Sequence, residues 1–168
     1  MAPYRLALSV GLACALVGAA PAHAAPGTAQ VSANVVKPLV LTWLQDLDLG
    51  TIVLGPGSWS GATVAISQAG AFTCTNANVT CSGATKAAQY NVSGSNRQVV
   101  HITAPSVTLV NQDDPSQKLT LLLDAPPSVT LTNSGPPGSN FSIGGSITLS
   151  STTAGGTYVG TMNVTVDY

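Results

Sequence analysis

The final stretch of the chain, Tyr158–Tyr168, constrains the fold more than any other feature because its side chains alternate in character. Alternating positions carry the apolar or small residues Tyr158, Gly160, Met162, Val164, Val166 and Tyr168. The positions between them are mostly polar, from Thr161 to Asp167. Successive side chains of a β-strand point to opposite faces, so a period of two residues predicts a strand with one buried face.

Shorter runs of strand-forming residues recur along the chain, separated by clusters of Gly, Pro, Asn and Ser. They are Val31–Leu44 (broken at Pro38), Leu47–Leu54, Thr63–Ser67, Gln89–Ser93, Val99–Thr103, Val107–Val110, Lys118–Asp124, Val129–Thr132 and Ser146–Ser150. The dense apolar run Lys118–Asp124 is typical of a central strand buried on both faces. No window after the first residues shows helical spacing without Gly, Pro or β-branched interruption. The pattern predicts an all-β chain folded as one antiparallel β-sandwich.

The first 24 residues have the composition of a secretory signal peptide. Arg5 precedes the uncharged apolar run Leu6–Ala20, and Ala22-His23-Ala24 supplies a cleavage pattern. The apolar run is shorter than the roughly 20 residues that a membrane-spanning helix needs. We therefore expect a cut between Ala24 and Ala25, a β-sandwich domain over residues 25–168, and no transmembrane segment in the mature chain. The mature protein would be periplasmic, at the cell surface or extracellular.

Two cysteines lie beyond the predicted cleavage site, Cys74 and Cys81. An oxidising compartment favours a disulfide between them. A metal site would need further ligands, and His101 is the one histidine after the predicted cut. We expect a disulfide and no metal.

The few charged and catalytic residue types restrict the function. Charged residues make up 7% of the sequence, with 5 Lys and Arg against 6 Asp, too few positive charges to bind a row of phosphates. A nucleophile, base and orienting group cannot be assembled around His101, which lies within a predicted strand. Asp46 with Asp48, and Asp113 with Asp114, are typical of turns and loops. The sequence predicts neither an enzyme nor a nucleic-acid-binding protein, and no cofactor.

Trp59, set among glycines and serines, has two interpretations. It could stack on a sugar ring, together with Trp43 or Tyr90, in a carbohydrate-binding module. It could instead cover one end of the sandwich core, which its large apolar area favours.

Three segments of the chain carry motifs of a known kind: Val36–Leu41, Asp46–Ile52 and Gly156–Tyr168. Together they resemble a family of bacterial secreted proteins, the domain-of-unknown-function 4402 family, with Leu49 standing where that family usually has a Phe. It extends over essentially the whole mature chain. The last segment is also similar to the final strand of chaperone–usher pilins and spore-coat U-like proteins. That similarity implies an immunoglobulin-like, pilin-like sandwich that lacks one strand and receives it from a neighbour.

The resemblance implies that Tyr158, Gly160, Met162, Val164, Val166 and Tyr168 belong to a candidate assembly strand. Open sheet edges accept an added strand through their unpaired backbone groups. At the predicted mature N-terminus, where a pilin carries its donor strand, Ala25–Gln30 is short and contains Pro26 and Gly27. Val31, Ala33 and Val35 alternate and suit either a donor or the chain's own first strand. We expect a structural or adhesin-like subunit of a fimbria or surface layer. Its partners would be further copies or other surface subunits, and a periplasmic chaperone.

Overall fold

A computed structural model describes residues 26–168 of the protein. The predicted signal peptide and its cleavage site at Ala24 and Ala25 lie outside this range. Residues 26–34 contain no strand, and the remaining body, residues 35–168, is built from strands without a helix. The described strands are β1 (Val40–Gln45), β2 (Thr51–Leu54), β3 (Ala62–Ile66), β4 (Phe72–Thr73), β5 (Val79–Ser82), β6 (Ala88–Ser93), β7 (Val99–Thr103), β8 (Val107–Asn111), β9 (Lys118–Asp124), β10 (Ser128–Thr130), β11 (Ser139–Leu149), β12 (Tyr158–Val159) and β13 (Thr165–Asp167).

All described strand pairs are antiparallel, in three sheets. The largest has the order β1-β6-β11-β9-β8-β12, and β3 and β4 are joined to it through β11. The second has the order β10-β7-β13, and the third pairs β2 with β5. Two buried clusters lie between these sheets. One joins β6, β7 and β11, and the other joins β3, β5, β8, β9 and the second half of β11. The predicted all-β antiparallel sandwich is confirmed.

Strand β11 connects the two clusters by changing partner halfway along. Its first half pairs with β6 and its second half pairs with β3. Gly144 lies at the change, where an added Cβ atom would collide with the backbone oxygen of Ile66. A residue with a side chain could not bring the two strands this close.

The segment from Val40 to Leu54 runs antiparallel to the segment from Val79 to Ser93 along its whole length. Val40 lies opposite Ser93 at one end, and Leu54 lies opposite Val79 at the other. Between the named strands, Asp48 and Lys86 exchange two backbone hydrogen bonds of 2.8 and 2.9 Å. One edge of the Val40–Leu54 segment is therefore paired at both ends and at Asp48 between them.

Three expectations about individual strands were wrong. Strand β9 is not buried on both faces, because its residues alternate and Leu122 is 58% exposed on the outer side. The run predicted to start at Val31 becomes a strand only at Val40, after Pro38, which cannot donate a ladder hydrogen bond. Strand β11 begins at Ser139, well before the expected Ser146.

The C-terminal run is also interrupted, although its alternation is as predicted. Tyr158–Val159 pairs with β8, and Thr165–Asp167 pairs with β7. Strands β7 and β8 are separated by the link 104–106, which contains a proline that has no backbone N–H. The five residues 160–164, which connect the two pairings, lie outside any strand.

Candidate functional site

A large open groove lies on the 35–168 body, with a volume of about 1220 Å³. Its two sides are the segment Asp46–Leu54 and the segment Tyr158–Thr165. We call these segments the first rim and the second rim. They come from opposite ends of the folded body's sequence, so the groove exists only in the folded chain.

The first rim presents an unused strand edge to the groove. Asp48 pairs with Lys86 on the side away from the groove. Its neighbours Leu47 and Leu49 make no backbone-to-backbone hydrogen bond within residues 26–168. Adjacent residues of an extended chain direct their backbone groups to opposite edges, so those of Leu47 and Leu49 face the other way.

The second rim presents an unused edge as well. It continues past β12 as Gly160–Val164, whose backbone groups make no backbone-to-backbone hydrogen bond with any other described residue. Gly160 is held close to β8, since an added Cβ atom would lie 2.8 Å from the backbone oxygen of Thr108. This part of the chain is thus extended and packed without being paired.

The floor of the groove is apolar and incompletely covered. It is formed by β8, β9 and β11 through Val107, Leu109, Leu119, Leu121, Ile147 and Leu149. Leu109 and Leu119 are half-buried, as are Leu49 and Met162 on the rims. These four residues pack against the second buried cluster, whose own members are almost fully buried. The groove is therefore a place where the hydrophobic core reaches solvent.

Two sets of hydrogen bonds join segments that lie just beyond the rims in sequence. The hydroxyl of Tyr168, beyond the second rim, donates to the carbonyl oxygen of Lys37 at 2.6 Å and accepts from the backbone N–H of Ser95 at 2.9 Å. Trp59, beyond the first rim, exchanges hydrogen bonds with Ser151, one of them between the Ser151 N–H and the Trp59 carbonyl at 3.0 Å. The segments that follow the two rims are thus bonded to other parts of the body.

The predicted disulfide Cys74–Cys81 is present, with the two Cα atoms 6.2 Å apart. Cys81 belongs to β5 and lies directly opposite Ile52 of the first rim. Both half-cystines pack against the cluster beneath the groove. The disulfide therefore supports the strand pair that carries the first rim.

The aromatic residues differ in what they can contact. The indole of Trp59 packs against the second cluster, and its N–H donates to the carbonyl oxygen of Gly55 at 3.1 Å, as the core interpretation predicts. Tyr90 is buried and stacks on Phe141 with ring centroids 5.6 Å apart. Burial, and to a lesser extent the nearby Asp46 carboxylate, raises the pKa of Tyr90. Trp43 alone of the three candidates is largely exposed, at 58%.

The polar residues considered as catalytic or metal-binding candidates do not come together. His101 lies on the exposed side of β7, opposite Ser128 and Asp167. Asp48 accepts a hydrogen bond from the Gly50 N–H at 2.8 Å, as in a turn. Asp114 bonds the hydroxyl and N–H of Ser116, which lowers the pKa of the Asp114 carboxyl. Within residues 26–168, no three His, Cys, Asp or Glu side chains lie where they could share a metal ion.

Comparison with known proteins places the chain in a family. The model for a domain of unknown function, DUF4402, matches residues 39–168. The chain belongs to this family. The match to the DUF4402 model includes both rims and the whole floor of the groove. No curated protein and no solved structure matches the chain. Residues 26–168 of this DUF4402 protein contain no helix long and apolar enough to cross a membrane.

The candidate assembly strand divides between the groove and the first buried cluster. Tyr158, Gly160, Met162 and Val164 line the groove, whereas Val166 and Tyr168 pack against the cluster around β6 and β7. The opposite rim was not predicted as part of a site. The alternation of Leu47 and Leu49 was the available signal, but it does not reveal that one edge of the segment lacks a partner.

Proposed function

We propose that this DUF4402 chain is an exported, non-enzymatic structural subunit of a fimbria or surface layer that binds an extended strand of a partner in its groove. The single observation that carries the proposal is the pair of unused strand edges, at Leu47–Leu49 and Gly160–Val164, on either side of an exposed part of the core. An incoming strand would pair with both edges.

The energetics favour such a strand over a small ligand. Backbone N–H and C=O groups are strong hydrogen-bonding groups, and an added strand can satisfy a whole row of them. Its alternate side chains would cover half-buried residues such as Leu109, Leu119 and Met162. Covering apolar surface contributes roughly 25 cal/mol per Å². The groove thus offers both main-chain pairing and apolar burial.

The chemistry of the remaining surface is consistent with assembly. With charged residues at 7% of the sequence, few charges would have to be desolvated when subunits pack together. Two of the three aromatic residues that a carbohydrate-binding module would use, Trp59 and Tyr90, are engaged in packing. The Cys74–Cys81 disulfide suits the periplasm, the cell surface or the extracellular space. Assembly partners would be further copies or other surface subunits, with a periplasmic chaperone holding the groove beforehand.

Gel electrophoresis of the native exported protein tests the proposal. Strand-paired multimers resist SDS without heating, so we expect a ladder of bands in unheated samples that collapses to one band after boiling. A single monomer band under both conditions would exclude assembly by strand addition.

Two substitutions in β9 test whether the multimers that form the ladder depend on the groove. Leu119→Ser changes the groove floor, whereas Leu122→Ser changes the exposed opposite face of the same strand. We expect the amount of multimer to fall at least tenfold in the Leu119→Ser variant and to stay unchanged in the Leu122→Ser variant. Equal circular dichroism spectra would show that both variants are folded. Equal ladders from both folded variants would show that assembly does not use the groove.

A further inference from the structure

The segment between the predicted cleavage site and the folded body has the pattern of a strand but forms none. From Gly27 to Val35 the odd positions are small or apolar: Gly27, Ala29, Val31, Ala33 and Val35. The even positions between them are the polar residues Thr28, Gln30, Ser32 and Asn34. A period of two residues over this length predicts a strand with one buried face. In the structure the segment has no strand, and Val31 is 92% and Val35 is 88% exposed.

We infer that residues 27–35 of one copy fill the groove of a second copy; this rests on the proposed function of the groove. The segment lacks charged residues, so its burial requires no unpaired charge. Its odd side chains would lie on the apolar floor, and its even side chains would face solvent.

The lengths of the two elements agree. Nine extended residues, 27–35, span roughly 30 Å at about 3.3 Å per residue. The second rim, Tyr158–Thr165, spans roughly 26 Å by the same rule. Lys37, two residues after the segment, is fixed to its own body through Tyr168 and Ser95. The donor is thus anchored to one copy and long enough to follow the rim of the next.

The arrangement would produce a linear polymer. Each copy carries one donor segment and one groove, which are different surfaces, and contacts between different surfaces are head-to-tail. Head-to-tail contacts build open filaments unless the rotation between copies closes a ring.

Substitutions in the full mature chain test the donor. Val31→Asp places a charge on the face that would be buried, and Ser32→Asp places it on the polar face. We expect the Val31→Asp variant to lose at least tenfold of the multimer in unheated gels, and the Ser32→Asp variant to retain it. A Val31→Asp ladder equal to that of the parent protein, with Leu119→Ser still losing its ladder, would overturn the donor assignment and leave the groove function standing. A ladder that persists in both the Val31→Asp and the Leu119→Ser variants would refute the donor assignment and the groove function together.

Cysteine pairing identifies the partner directly. One population carries Met162→Cys in the groove, and the other carries Ala29→Cys, Val31→Cys or Ala33→Cys on the donor. After mixing, dissociation, reassembly and oxidation, we expect a disulfide-linked dimer with at least one of these donors. Gln30→Cys and Ser32→Cys serve as controls and should remain unlinked. Linkage within single chains that carry both cysteines, without linkage between mixed populations, would show self-insertion and overturn the assignment to a second copy.

Discussion

The hydroxyl of Tyr168, the last residue, donates a hydrogen bond of 2.6 Å to the carbonyl oxygen of Lys37, near the start of the folded body. The same hydroxyl accepts from the Ser95 N–H at 2.9 Å. These three residues lie outside both rims, so the bonds hold the C-terminal strand to the start of the body without closing the groove. One side chain thus connects the C-terminal strand, the base of the N-terminal segment and the turn after β6.

Removing this hydroxyl should destabilise the body. Tyr168→Phe keeps the ring in the first cluster but leaves the Lys37 carbonyl and the Ser95 N–H without their partner. A typical intramolecular hydrogen bond contributes about 1 kcal/mol, so we expect a loss of about 1–2 kcal/mol in urea unfolding. Tyr158→Phe, which loses one hydrogen bond to Ala154, should have the smaller effect. The reverse order would contradict the role given to Tyr168.

The close approach of the second rim to β8 predicts a strong effect at Gly160. An added methyl group would lie 2.8 Å from the Thr108 oxygen and from side-chain carbons of Val107 and Leu109. Overpacking of this kind costs about 1–3 kcal/mol, which denaturant unfolding of Gly160→Ala will measure. Gly155→Ala is the matched control, because an added Cβ there has open space. Equal stability of the two variants would place the second rim farther from β8.

Loss of the disulfide should weaken the first rim. The loop closed by Cys74 and Cys81 is short, and chain entropy predicts a contribution of about 2.5 kcal/mol. We expect the Cys74→Ala, Cys81→Ala double variant to have a free energy of unfolding lower by about that amount, measured by urea denaturation. It should also form fewer multimers. Alkylation of the native protein followed by intact-mass measurement should find no free thiol. A free thiol at either cysteine would contradict the structure.

The raised pKa of Tyr90 predicts that the stability of the fold decreases at alkaline pH. Its pKa is raised by burial and by Asp46, so the folded state holds the phenolic proton more tightly than the unfolded chain, in which a Tyr pKa is about 10. This stability is present below pH about 10 and falls as the pH rises through the folded pKa. Unfolding experiments between pH 8 and about 11 should show this decline in the parent protein. Tyr90→Phe should show less of it, and identical declines would contradict the assignment.

Strands could be predicted from the sequence where one face is buried and turn-forming residues mark both ends of the strand. Val99–Thr103 and Lys118–Asp124 have the expected bounds, because each carries a clear apolar run between turn residues. The first half of β11 was missed because Gly144 and Gly145 are typical strand breakers, although here Gly144 allows two strands to approach. Local patterns do not encode which strands become neighbours.

The groove could be predicted only in part for the same reason. The alternation of Met162 and Val164 indicated a buried face, and it does face the groove and the core. The interruption of the C-terminal run could not be inferred from that run, because it accompanies a change of pairing partner from β8 to β7. An unpaired edge is the absence of a partner, and it becomes visible only once every other pairing is known.

Hydrogen–deuterium exchange tests the central claim most directly, because it reports on the backbone of the rims themselves. The amides of Leu47, Leu49 and Gly160–Val164 should exchange quickly in the monomer, where they lack backbone partners among the described residues, whereas the Asp48 amide is bonded to Lys86. In the multimer, both rims should become protected together, while peptides from β9, which is already paired with β8 and β11, change little. Rapid exchange of both rims in an intact multimer would contradict strand addition in the groove.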